Sequence, residues 1–282
     1  YFDTAPHYGL GLAERRLGAF LQSKPRDEFV ISTKVGRLLR ANHEYDGGFD
    51  TDNDFVVPNE LQRVWNFSPD GIRASLGESL ARLGLDRVDI LYLHDPERHD
   101  LDLAISEALP ALERLREDKR VDAVGVGSMT STALARCVRE SRLDVIMVAG
   151  RYTLLEQPAA AEVLPACRET ETSVVAASVF NSGLLATAEP TRDARYDYGD
   201  VPGAVWQRLQ RIIGVCRNHD VPLPAAAIQF AWHESVVVRS VVVAGSRPEQ
   251  VRENAAWAAV PISESFWSEL MTEDLIPRRE ST

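Results

Sequence analysis

The chain of 282 residues is 45% hydrophobic and 26% charged, with 17 Gly, 15 Pro and 3 Cys, a composition that excludes disorder and collagen-like repetition. Its 31 Lys and Arg against 42 Asp and Glu give a net charge of -11, which repels phosphate backbones and anionic lipid, so neither nucleic acid nor a membrane is an expected partner. No apolar run approaches the length of about 18 residues that spans a bilayer, and no basic, apolar-cored leader stands at the start, so the cytosol is the expected location.

Tyr1-Phe2 reads as the tail of a strand, and six further β-branched apolar runs follow at 29–33, 88–93, 123–127, 145–149, 173–177 and 240–244. Near-continuous apolarity of this kind marks strands buried on both faces, as in parallel sheets. Helical patterns lie between them. One covers 70–83, with Ser68 and Pro69 as start signals and Gly84 as the stop. Others cover 103–118, 130–140, 158–171 and 204–219. This alternation predicts an α/β fold, a single (β/α)8 TIM-barrel domain over 1–282. Seven strands are counted where closure takes eight, so a first βα unit of about 30 to 50 residues is expected to precede Tyr1. The stretch 36–67, rich in Asp, Asn and Gly, reads as an irregular loop covering a site, with Trp65 as an apolar platform for substrate. Cys137, Cys167 and Cys216 are widely spaced, and neither a disulfide framework nor a metal site is expected.

In a barrel the reactive groups stand where strands end. The first three strand ends here supply Asp3 and Tyr8, then Lys34, then His94. Each alone is an ordinary loop or surface residue, but together they bring four protic groups to one face. An ammonium near a phenol favours the phenolate, so Lys34 is expected to lower the pKa of Tyr8. Asp3 would hold Lys34 protonated, and His94 would donate a hydrogen bond to a substrate oxygen. The set suits proton transfer at a carbonyl or alcohol oxygen. A Schiff-base lyase is the alternative use of a strand-end lysine, but a carboxylate that keeps Lys34 charged removes the free amine it needs. After the last strand, the turn Ala244-Gly245-Ser246-Arg247 opens a helix whose free amides and dipole favour a phosphate, with Arg247 adding charge.

Asp3-Thr4-Ala5-Pro6-His7-Tyr8-Gly9 with Glu14-Arg15-Arg16-Leu17-Gly18, then Ile31-Ser32-Thr33-Lys34 and Asp89-Ile90-Leu91-Tyr92-Leu93-His94, resemble in order and context the segments that carry the catalytic residues of the aldo-keto reductases. The likeness continues to Glu253-Asn254. It implies an NAD- or NADP-dependent oxidoreductase that moves a hydride between nicotinamide and the C1 of an aldose or a small aldehyde. Asp3, Tyr8, Lys34 and His94 would be catalytic, and Trp65 and His94 would touch substrate. Cofactor contacts implied by the resemblance are Ser128 and Arg151 at the nicotinamide amide, Ser178, Phe180 and Gly183 in the loop after the strand at 173–177, and Ala244, Gly245, Ser246, Arg247, Gln250, Glu253 and Asn254 at the pyrophosphate and adenosine end. Ala177 stands where many members carry an aromatic ring under the nicotinamide. Met129 and Arg151 also depart from the common Asn, and Gln or Asn, at those positions. A narrower likeness, on Trp65-Asn66-Phe67-Ser68, His94-Asp95-Pro96 and 150–157, is to members that oxidise aldoses at C1 or pyridoxal. A cofactor-binding protein without turnover is the non-enzymatic alternative.

Overall fold

Parallel strands alternate with helices in the computed structural model of the chain, which describes residues 1–234 and 236–278. The chain forms two compact units, Tyr1–Ile146 and Met147–Thr282.

The strands of the first unit are β1 (Phe2–Asp3), β2 (Ile31–Val35), β3 (Arg37–Ala41), β4 (Leu61–Trp65), β5 (Ile90–His94) and β6 (Ala123–Ser128). β1, β2, β5 and β6 pair in that order, all parallel, with Asp3 beside Ser32, Lys34 beside Tyr92 and His94 beside Gly127. The strand expected at 29–33 lies two residues later. Val30 is 43% exposed, whereas Lys34 is buried within the strand because Asp3 answers its charge. Helix α2 (Pro69–Leu83) follows the sequence signals closely, whereas α1 (Leu12–Leu21) is not among the helical patterns read from the sequence. Ser68 caps α2 by accepting from the Gly71 amide, and Gly84 ends it in the left-handed region. Glu14 of α1 is fully buried, accepting from Thr33 Oγ1 and Arg82 Nε at 2.6 Å each, which ties α1 to β2 and α2. The helix expected at 103–118 is broken into α3 (Leu101–Leu103), a π-helical turn (Ala104–Ala108) and α4 (Leu109–Glu117). Pro110 lacks the N–H that a continuous α-helix would use there. α5 (Ser131–Glu140) closes the series.

The stretch 36–67 is not the irregular loop that its composition suggests. Gly36, at φ 106°, reverses the chain out of β2, and a Cβ there would meet Leu93 and Phe67 at 3.0 Å. β3 and β4 then form an antiparallel hairpin with Arg37 opposite Trp65. Only its tip is irregular, and the alternation in Leu61-Gln62-Arg63-Val64-Trp65 is the strand signal that composition hides.

β7 (Val145–Ala149) runs from the first unit into the second, whose remaining strands are β8 (Ser173–Ala177), the short hairpin β9 (Arg195–Tyr196) and β10 (Gly199–Asp200), and β11 (Val238–Val242). β11 lies parallel to β8 with Val241 beside Ala176. It sits two residues before the expected 240–244, because a half-exposed strand accommodates Arg239 and Ser240 and needs no unbroken apolar run. Helices α6 (Ala159–Glu169), α7 (Gly203–Asn218), α8 (Leu223–Glu234), α9 (Pro248–Ala258) and α10 (Glu264–Thr272) complete the unit. Cys137, Cys167 and Cys216 are free and buried, and burial pushes each thiol up to about 12. No helix among the described residues is long and apolar enough to cross a membrane.

Candidate active site

The ends of β1, β2 and β5 bring Asp3, Lys34 and His94 to one side of the first unit's sheet, and the turn after β1 adds Tyr8. Lys34 Nζ donates to Asp3 Oδ2 at 2.5 Å and to the Thr4 carbonyl at 3.0 Å, with the two side chains 2% and 6% exposed. Ser32 Oγ donates to the other Asp3 oxygen, also at 2.5 Å, and Tyr1 reaches Ser32 at 2.9 Å. The Lys34 ammonium stands 4.8 Å from the centre of the Tyr8 ring. Burial works against the charge on Lys34, but Asp3 and Tyr8 outweigh it and hold the ammonium above the ordinary lysine range. A lysine so held is charged, which removes the free amine that a Schiff base requires.

Tyr8 departs in part from expectation. Burial raises its phenol above the ordinary value even though Lys34 draws it down. In the free protein desolvation therefore wins over the ammonium, and the Tyr8 hydroxyl rests protonated. His94 packs edge-on against Tyr8, with ring centres 5.7 Å apart. Burial, followed by Arg37 and Lys34, holds its imidazole well below the usual pKa, so it is neutral and keeps one N–H to donate.

Around these four lie residues that the sequence did not single out. His7 packs against His94 and Tyr8, and burial with Arg37 and Arg63 lowers its pKa to about 3. Arg63 of β4 donates to the His7 carbonyl at 2.7 Å and to both oxygens of Asp50. Arg37 of β3 bridges Asp95 at 2.5 Å. The buried atoms His7 Nδ1, Thr4 Oγ1, Arg37 Nε and Arg63 Nε have no hydrogen-bond partner. The available signal was position, since Arg37 and Asp95 each come directly off the strand ends that carry Lys34 and His94. Trp65 already carries a stacked His99 at 5.3 Å and the Arg37 guanidinium at 4.4 Å, so its ring is not a bare platform.

Ser128, at the end of β6, is buried and donates to Glu97 Oε1 at 2.6 Å while accepting from the Thr130 amide at 2.9 Å. In the second unit, Arg151 pairs with Glu156 at 3.1 Å and Asp197 at 2.6 Å. The loop after β8 holds Ser178, Asn181, Ser182 and Gly183 at positive φ, from 46° to 94°, and the half-buried Phe180 lies within it. The amides of Asn181 and Gly183 donate to the carbonyls of Ser178 and Phe180, and those of Leu184 and Leu185 to Asn181 and Phe180, so the loop is a run of tight turns closed on itself. Ala244 to Arg247 are exposed at the start of α9, where Arg247 is the N-cap. The Ser246 amide and hydroxyl donate to Gln250 at 2.8 and 3.1 Å, and Asn254 holds the Ala244 carbonyl at 3.2 Å. A Cβ at Gly245 would lie 3.1 Å from Val251, so this turn is tightly packed backbone. Glu253 is exposed on α9. A helix start carrying Arg247 fits the phosphates of a dinucleotide.

The family description that matches residues 1–272 is the aldo/keto reductase family. The chain is 66% identical over 278 residues to the D-threo-aldose 1-dehydrogenase of Pseudomonas sp, covering 98% of this chain and 84% of that one. It is 36% identical over 298 residues to the pyridoxal 4-dehydrogenase of Microbacterium luteolum, with the same coverage of 98% and 84%. Among solved structures, an aldo-keto reductase from Bacillus halodurans in its holo form superposes with a TM-score of 0.73 at 24% identity, over 97% of this chain and 82% of that one. A glycerol dehydrogenase from Gluconobacter oxydans superposes at 0.72 and 19% identity, over 99% and 83%. The α/β fold is the one these barrel structures share.

Proposed function

We propose that this chain, which belongs to the aldo/keto reductase family of oxidoreductases, oxidises the anomeric carbon of an aldose to a lactone with NAD or NADP. The observation that carries the reading is the buried Lys34–Asp3 pair at 2.5 Å, set against Tyr8 and a neutral His94. The likeness to the D-threo-aldose enzyme supports the substrate class.

A nicotinamide cofactor, when bound, would supply the acceptor for the hydride that leaves C1. The protein's own part is to hold and move one proton. His94 donates its N–H to the C1 oxygen and orients it. Tyr8 takes the hydroxyl proton as C1 becomes a carbonyl, and the Lys34 ammonium stabilises the phenolate that makes Tyr8 a base. Asp3 and Ser32 keep Lys34 charged and aimed. In the reverse direction the same phenol is the acid. In the second unit, Arg247 at the start of α9 would hold the dinucleotide phosphates. A cytosolic location belongs to this reading, supported by the three unpaired buried thiols.

The test is NAD(P)H absorbance in the presence of a panel of aldoses and pyridoxal. Turnover of an aldose is the expected result. Turnover of pyridoxal alone, or none with either cofactor, overturns the reading.

Two further outcomes are expected. Arg247→Ala weakens NADP about tenfold more than NAD in a fluorescence titration, because a 2'-phosphate gains a charge-assisted hydrogen bond that a hydroxyl does not. Equal losses contradict it. Trp65→Ala raises KM for the best aldose between about two- and tenfold, the range of an aromatic contact, and leaves nucleotide affinity unchanged. An unaltered KM contradicts a role in substrate binding.

A further inference from the structure

Asp95 follows His94 directly and is held in an unusual way. Its backbone lies in the left-handed region at φ 44° and ψ 57°, immediately before Pro96, and its amide is anchored to the Gly127 carbonyl at 2.8 Å. The residue before a proline is confined to extended conformations in most settings, so this geometry is strained. Strain of that kind persists only where the surroundings fix it. Here it turns the carboxylate toward His94, whose Nε2 lies 3.7 Å from Asp95 Oδ2.

Arg37 bridges the same oxygen at 2.5 Å and is itself only 4% exposed. A buried ion pair is a poor stabiliser, since desolvating both charges offsets most of their attraction. The pair is better explained by what it presents. Arg98 Nη1 stands 4.0 Å from the same oxygen, Oδ2, while no hydrogen bond from the described residues reaches Asp95 Oδ1, and an ionised carboxylate only accepts. Arg37 Nε, which is buried, is likewise unpartnered.

The distances close on a specific substrate feature. His94 holds the C1 oxygen, and the oxygen on the neighbouring carbon of a sugar lies about one hydrogen-bond length from it. A carboxylate 3.7 Å from the imidazole nitrogen can accept from that second hydroxyl while the imidazole donates to the first. Resting on the aldose reading above, we propose that Asp95, positioned by Arg37, reads the hydroxyl adjacent to the reacting carbon, so that the site selects 2-hydroxy aldehydes in their aldose form over sugars and aldehydes that lack this group. Arg37 is then a positioning residue, and Asp95 sets specificity.

D-arabinose and 2-deoxy-D-ribose differ only at that hydroxyl, and the test compares kcat/KM for the two with saturating cofactor. The parent should prefer D-arabinose. In Asp95→Ala the rate constant for D-arabinose should fall roughly 10- to 100-fold, the worth of a hydrogen bond to a charged group, while that for 2-deoxy-D-ribose falls far less. The discrimination ratio collapses. Equal losses on both sugars would show a structural role only, and an unchanged ratio would show no contact, so either overturns the proposal while leaving the aldose reading intact. A parent that oxidises D-arabinose no better than 2-deoxy-D-ribose overturns the proposal alone, and one that oxidises no aldose of the panel overturns the aldose reading and this proposal with it. Should Asp95→Ala fail to fold, by circular dichroism and melting, the same comparison is made with Asp95→Asn. Asparagine keeps the shape and weakens the acceptor, so its ratio must also fall, and a ratio equal to the parent's overturns the proposal.

Discussion

Tyr8→Phe should turn over its best aldose between about 100- and 10,000-fold more slowly than the parent, the range spanned by removal of a positioned general acid or base. The ring stays, so its edge-on contact with His94 stays too. Nucleotide affinity should change by less than about twofold, because the hydroxyl acts on the proton and not on the cofactor. The parent's pH profile supplies the companion measurement. Burial raises the Tyr8 phenol while Lys34 opposes it, so the base form is scarce at neutral pH and the rate of oxidation should climb as pH rises through the alkaline range. The reduction direction, which uses the acid form, should lack that climb. A Tyr8→Phe variant within threefold of the parent would falsify the assignment.

Lys34→Met should damage both activity and stability, and the second effect separates it from Tyr8→Phe. Methionine matches the length of the lysine stem but leaves Asp3 as a buried carboxylate facing no cation. Breaking a buried pair by removing one partner costs about 3–5 kcal/mol, which for a chain of this size lowers the melting temperature by roughly 10 °C. The lysine's folded-state pKa is raised above its ordinary value. Its contribution is therefore complete at neutral pH and is lost only as pH climbs through the raised value. The deficit of Lys34→Met should accordingly be the same at pH 6 and pH 8. Lys34→Met with Asp3→Asn should recover part of the lost stability, since no uncompensated charge remains, while turnover stays low. A double variant no more stable than Lys34→Met would show that the pair is not the source of the effect.

The cluster of Asp3, Tyr8, Lys34 and His94 was legible because three of the four stand directly at strand ends, and strand ends can be read from β-branched runs. Lys34 was the most informative, a lone charge at the close of an apolar run that needed an answering carboxylate, and Asp3 supplies it at 2.5 Å. Arg37 and Asp95 were not legible. The stretch after Gly36 read as loop because Asp, Asn and Gly dominate its composition, although these cluster at the hairpin tip and leave β3 and β4 regular. Asp95 entered only as part of the segment His94-Asp95-Pro96, and its backbone angles and its distance to His94 are what distinguish it. The balance of effects at Tyr8 was also hidden, since spacing reveals the neighbouring ammonium but not how much solvent the fold removes. Ser128 and Arg151 were found as positions, yet their partners Glu97, Glu156 and Asp197 follow only from the three-dimensional arrangement.

The three buried cysteines have a practical consequence for watching this molecule at work. With thiols near 12, the nucleophilic thiolate fraction at pH 8 is on the order of one in ten thousand, and thiol reagents attack the thiolate. Maleimide dyes should therefore ignore the native sulfurs as long as the chain stays folded. A single cysteine placed at an exposed point, such as F49C near the tip of the β3–β4 hairpin, could carry a fluorophore in an otherwise unaltered background. Its emission would then report how the strand that carries Arg37 responds when sugar is added.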